Sequence, residues 1–97
     1  MVERNAKQGT FRFTFKPAAR VGKVMLAGDF TEWQPVLMKR QKDGTYSASY
    51  ALTPGEHQYK FIADGDWFVD MDNPRSAPNS YGTFNSVVVV RSAGLAE

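Results

Sequence analysis

From Thr10 to Lys16 every second residue is phenylalanine, in Thr-Phe-Arg-Phe-Thr-Phe-Lys, and nowhere along the chain do apolar residues recur at helical spacing. Side chains of a strand alternate between two faces, so Phe11, Phe13 and Phe15 share one face while Thr10, Arg12, Thr14 and Lys16 take the other. Turn signals then break the chain about every 8–12 residues, the rhythm of an all-β sandwich or barrel. Lys23 to Ala27 forms the second strand, between Gly22 and Gly28, and Pro35 to Arg40 a weaker third. Asp43-Gly44 turns into a fourth, Thr45 to Leu52, with Tyr46, Ala48, Tyr50 and Leu52 in phase, and Pro54-Gly55 makes the next corner. His57 to Ala63 is the fifth; Trp67 to Val69 follows, then a loop from Asp70 to Tyr81. Asn85 to Arg91, with four consecutive valines, suits a strand covered on both faces. About seven short antiparallel strands in two packed sheets result. They form a single domain over residues 1–97, with its core over about residues 10–91 and with residues 1–8 and 92–97 as frayed ends.

The Asp64-Gly65 pair sets the register of one hairpin. A two-residue loop there opposes Ala63 to Asp66, Ile62 to Trp67 and Phe61 to Phe68. Directly opposed residues share a sheet face, so Trp67 joins Ile62 and Lys60, while Phe68 joins Tyr59 and Phe61 on the core side. A three-residue loop would send Trp67 inward instead. The Asp-Gly signal favours the two-residue form.

A chain of 97 residues with no cysteine folds without disulfides and excludes thiol chemistry and Cys-type zinc sites. The polar start and the lack of an apolar run of about 18 residues predict a soluble cytoplasmic protein without a membrane segment. Net charge is +2, with nine basic against three acidic residues over 1–42 and three against seven over 43–97. In a small β domain these halves interleave, which leaves a mixed surface and no nucleic-acid face. His57, the single histidine, lies in a strand with no nucleophile assigned to it, so no catalytic residue is expected. The aspartates at 64, 66, 70 and 72 fail the twelve-residue calcium-loop pattern: starting at Asp70, Arg75 stands where glycine is required and Tyr81 where the bidentate glutamate belongs. They read as turn formers, and neither a metal nor a cofactor is expected.

Two tryptophans fall outside the core phase: Trp33, in the loop Leu-Ala-Gly-Asp-Phe-Thr-Glu-Trp-Gln-Pro, and Trp67, beside Lys60. Each can serve as a lid over a sandwich end. Each can equally serve as a stacking platform for a sugar, whose apolar C–H face fits an indole while its hydroxyl rim takes hydrogen bonds from lysine and asparagine side chains.

Three segments, GDFTEWQPV, GEHQYKFIADGDW and YGTFNSVV, resemble in order and spacing the glycogen-binding domain of the AMP-activated protein kinase beta subunit. They are equally similar to the family-48 carbohydrate-binding modules of isoamylases and glycogen-branching enzymes. The resemblance covers about residues 10–91 and implies an early-set, immunoglobulin-like β-sandwich that binds α-1,4-glucan: glycogen, starch or maltooligosaccharide. Carried over by position, it implies Trp33 and Trp67 as the stacking pair and Lys60 and Asn85 as hydroxyl partners, with Thr83 a further polar contact and Tyr81 a bulky residue projecting into the glucan helix. This chain departs from the pattern at Tyr81, apolar in the kinase domain, at Thr31-Glu32 in place of Asn-Asn, and at Met71 in place of proline. The competing expectation is a protein-interaction module in which the same sandwich docks a kinase or a glucan-active enzyme and glucan binding is weak or lost.

Overall fold

The computed structural model describes residues 2–5, 10–17 and 21–90. The strands among them are β1 (Val2–Asn5), β2 (Thr10–Phe15), β3 (Val24–Gly28), β4 (Val36–Leu37), β5 (Lys39–Arg40), β6 (Tyr46–Ala51), β7 (Gly55–Ala63), β8 (Asp66–Phe68), β9 (Ser76–Pro78) and β10 (Phe84–Val90). All pair antiparallel, in two sheets. One sheet runs β1-β2-β6-β5 and the other β4-β3-β7-β10-β9, with β8 also on β7. The expected all-β sandwich is therefore the fold found.

The phenylalanines of β2 supply one inner face of the core, and Val24 and Leu26 of β3 with Tyr59 and Phe61 of β7 supply the other. Between the sheets the Phe13 ring meets Tyr59 edge-on at 5.0 Å and stacks on Phe30 at 5.1 Å. The weak third strand is two short ones. β4 pairs with β3, β5 pairs with β6 in the opposite sheet, and buried Met38 marks the crossing, its N–H bonded to the Val24 carbonyl at 2.9 Å. A β-strand that changes sheets cannot keep a single alternation, so this segment reads poorly in sequence.

At the Asp64-Gly65 hairpin the two-residue form holds. Phe61 faces Phe68, Ile62 faces Trp67 and Ala63 faces Asp66, and both loop residues take positive φ, 48° and 90°. The Asp64 carboxylate also receives the Gly22 and Lys23 N–H groups, which ties this turn to the start of β3.

Four expectations are corrected. Val2–Asn5, placed within a frayed end, pairs with β2; Met1, residues 6–8 and residues 92–97 lie outside the described residues. The loop from Asp70 to Tyr81 contains β9, which pairs with β10. Phe68 faces the core side and stacks with Phe15, yet it stays 43% exposed because β8 is an edge strand, paired among the described strands with β7 alone. In the valine run, Val87 and Val90 are buried but Val89 is exposed, so β10 is covered on both faces over only part of its length.

Candidate functional site

Strand β7 changes neighbours along one edge: it pairs with β10 from Gly55 to Tyr59 and with β8 from Phe61 to Ala63. Lys60 stands at the changeover. Alternation sends Tyr59 and Phe61 into the core and leaves Gln58 and Lys60 on the outer face. Trp67 arrives on that face through its pairing with Ile62, and Asn85 arrives one residue before the Ser86–Tyr59 pair.

Trp33 reaches the same face from the loop between β3 and β4. Gly28 opens this loop at a place where no side chain fits: a Cβ would lie 2.6 Å from the Phe30 ring and 2.8 Å from the Gln58 carbonyl oxygen. Thr31 brackets Gly28, its hydroxyl accepting the Gly28 N–H at 3.1 Å and donating to the Gly28 carbonyl at 3.0 Å. Glu32 and Trp33 then both adopt left-handed backbone, φ 55° and 59°, a conformation costly for a bulky side chain. The Trp33 N–H repays it in part by donating to the Gly28 carbonyl at 2.8 Å. Asp29 moors the whole loop to β7, with Oδ1 2.9 Å from His57 Nδ1 and Oδ2 accepting the Gln58 N–H at 2.8 Å.

The third contributor is the turn from Asn79 to Thr83, organised by one side chain. Asn79 Oδ1 accepts the N–H groups of Tyr81 and Thr83 at 2.9 and 3.1 Å, and its Nδ2 donates to Thr83 Oγ1 at 2.8 Å and to Asn85 Oδ1 at 2.9 Å. Asn85 Nδ2 in turn donates to Gln58 Oε1 at 2.9 Å, and Lys60 Nζ donates to Thr83 Oγ1 at 3.3 Å.

These pieces enclose a concavity of about 890 Å³. All six residues singled out in the sequence line it: Trp33, Lys60, Trp67, Tyr81, Thr83 and Asn85. Gln58 and Asn79 line it too and were not singled out. Gln58 was within reach of the alternation that placed Lys60, since residues two apart share a face; Asn79 was one polar residue among several in a loop. Trp33 is 37% exposed and Trp67 48%, so neither indole is a closed lid, and Tyr81 at the tip of its turn is 89% exposed. Asn85, by contrast, is buried at the floor.

Beneath the floor lies a polar knot on the core side. The Tyr59 hydroxyl donates to Asp70 Oδ2 at 2.8 Å and accepts from Asn73 Nδ2 at 3.0 Å, while the Asp70 N–H donates to Ser86 Oγ at 2.7 Å. Burial, reinforced by the Asp70 carboxylate and opposed by the Asn73 hydrogen bond, pushes the Tyr59 phenol far above its ordinary 10.0. Asp64 and Asp70 thus serve separate structural tasks, and the described residues hold no group of three acidic or histidine side chains arranged for a metal ion.

The comparisons with known proteins bear on family and fold. The family model for the glycogen recognition site of AMP-activated protein kinase matches residues 10–96. The chain belongs to that family. Subunit beta-1 of 5'-AMP-activated protein kinase from Sus scrofa is 35% identical over 68 residues, 70% of this chain and 54% of that protein. The Homo sapiens beta-1 subunit shows the same identity over the same length, but there the match spans 24% of the relative. Subunit beta-2 from Mus musculus is 31% identical over 70 residues, 72% of this chain and 26% of that protein. The chain therefore spans between a quarter and about half of these relatives. Among solved structures, a protein from Salmonella typhimurium described as an alpha amylase superposes with a TM-score of 0.71 at 26% identity, over 91% of this chain and 14% of that one. A similar sandwich thus also occurs as a small part of a much longer chain. No helix among the described residues is long and apolar enough to cross a membrane.

Proposed function

We propose that this domain binds α-1,4-glucan without catalysing a reaction. The glucose rings lie against Trp33 and Trp67, and their hydroxyls are taken by Lys60, Thr83 and Asn85. Tyr81 stands at the rim as a wedge between turns of the glucan. The observation that carries the reading is the convergence of two half-exposed indoles and a polar floor in one concavity, assembled from three separate segments of the chain. Covering about 50–100 Å² of each indole at about 25 cal/mol per Å² contributes roughly 1–2.5 kcal/mol. Exposed hydrogen bonds add about 0.5–1.5 kcal/mol each, and association costs at least about 4 kcal/mol. The balance corresponds to dissociation constants between micromolar and millimolar, useful on a polymer where many sites act together.

A second reading has its own observation. On the far side of Trp67 the exposed side chains of Phe68, Met71 and Phe84 form an apolar wall, which suits docking of a kinase or a glucan-active enzyme. Affinity electrophoresis separates the two: the glucan reading predicts retarded migration in gels containing glycogen or amylose. Unretarded migration in both gels rejects it and leaves the docking module.

A further inference from the structure

The hydrogen bonds across the floor fix more than position. An amide oxygen and an amide nitrogen have the same shape but opposite hydrogen-bonding character, so which end faces the concavity decides what it can bind. Asn79 Oδ1 meets two backbone N–H groups, from Tyr81 and Thr83, and only an oxygen can accept both. That sets Asn79 Nδ2 toward Asn85, which sets Asn85 Oδ1 toward Asn79 and Asn85 Nδ2 toward Gln58, and so sets Gln58 Oε1 toward Asn85. A single backbone cue therefore orients three side-chain amides in series. Asn79 ends with both hydrogens and its oxygen engaged. Gln58 ends with Nε2 making no hydrogen bond to any described residue, on the wall of the concavity.

We infer that Gln58 is a further ligand contact, donating from Nε2 to a sugar oxygen, and that Asn79 is the positioning residue that points this donor into the site. The inference rests on the glucan reading above and adds a chemical preference to it. With Lys60 and Gln58 both presenting N–H groups, the floor is donor-rich, so the sugar oxygens nearest it act as acceptors and direct their own hydrogens outward to water or to neighbouring sugar rings.

The test uses maltoheptaose as the probe and follows side-chain amide and indole N–H signals by two-dimensional ¹⁵N–¹H NMR. In the native chain the Gln58 NH₂ pair moves with the same saturation as the Trp33 and Trp67 indole signals. Gln58→Glu keeps an acceptor for Asn85 Nδ2 but removes the donor, and weakens binding by about 2- to 10-fold with the melting temperature unchanged. Asn79→Asp keeps the acceptor for Tyr81 and Thr83 but cannot donate to Asn85. It shifts the Gln58 NH₂ pair in the sugar-free protein, and it costs less affinity in a Gln58→Glu background than alone. A Gln58 pair that stays still while both indoles move, with full affinity in Gln58→Glu, overturns the contact and leaves the glucan reading standing. A Gln58 pair unchanged in sugar-free Asn79→Asp overturns the positioning role. Indoles that do not move overturn both this inference and the glucan reading.

Discussion

The Asp29 carboxylate holds the loop that carries Trp33 against the strand that carries Lys60: Oδ1 lies 2.9 Å from His57 Nδ1, on a residue 28 positions along the chain. The other imidazole nitrogen, Nε2, lies 2.8 Å from the Thr53 carbonyl oxygen. Both partners are acceptors, so both ring nitrogens are donors when the ring is charged. A neutral imidazole has to give up one of the two bonds.

Stability is accordingly expected to depend on pH through His57. Burial lowers its pKa, but the Thr53 carbonyl, the Asp29 hydrogen bond and the Asp29 charge together raise it above the ordinary 6.5. A raised pKa means that the folded state holds the proton more tightly than the unfolded chain does. The stabilisation is complete below about pH 6.5 and is lost as pH rises through the folded-state value. Urea midpoints measured across about pH 5.5–8.5 should fall on the alkaline side, and His57→Gln should flatten that fall. A slope unchanged in His57→Gln would place its origin elsewhere.

Gly28→Ala should destabilise the domain by about 1–3 kcal/mol. Its backbone is extended, φ −164°, so the cost comes from space: the new methyl meets the Phe30 ring and the Gln58 carbonyl. Phe30 stacks on Phe13, and relief by moving that ring disturbs the core. Differential scanning calorimetry should show a drop of roughly 4–8 °C per kcal/mol for a domain of this size.

Tyr59→Phe keeps the ring but strips the hydroxyl from Asp70 Oδ2 and Asn73 Nδ2. Loss of a buried hydroxyl from such a knot costs about 1–3 kcal/mol, read as a lower urea midpoint. The Tyr59 hydroxyl bonds to Asp70 and Asn73 on the core side, so glucan retention measured well below the transition should be preserved.

Local pattern carried much of the fold. The phenylalanine alternation placed β2, and Asp64-Gly65 fixed a register that put Trp67 outside, because a two-residue turn leaves the pairing no freedom. What the sequence hid depends on long-range partners. β9 is a strand only because β10 lies beside it, Val2–Asn5 only because β2 offers a free edge, and the break at Met38 only because the two sheets face each other. At the site, the six residues came from the family resemblance and from face assignment. Asn79 escaped because its importance lies in side-chain hydrogen bonds to residues that become neighbours through the turn, rather than in its chemical type.

The claim that an α-glucan lies across both tryptophans is tested most directly by fluorescence titration of single-tryptophan chains, Trp33→Phe and Trp67→Phe, with maltoheptaose, and with a β-1,4-linked glucan of equal length as control. Each remaining indole should change its emission with maltoheptaose, saturating between micromolar and millimolar, and neither should respond to the β-linked control. An α-glucan titration that leaves either indole unaffected, or an equal response to the β-linked chain, would contradict the account.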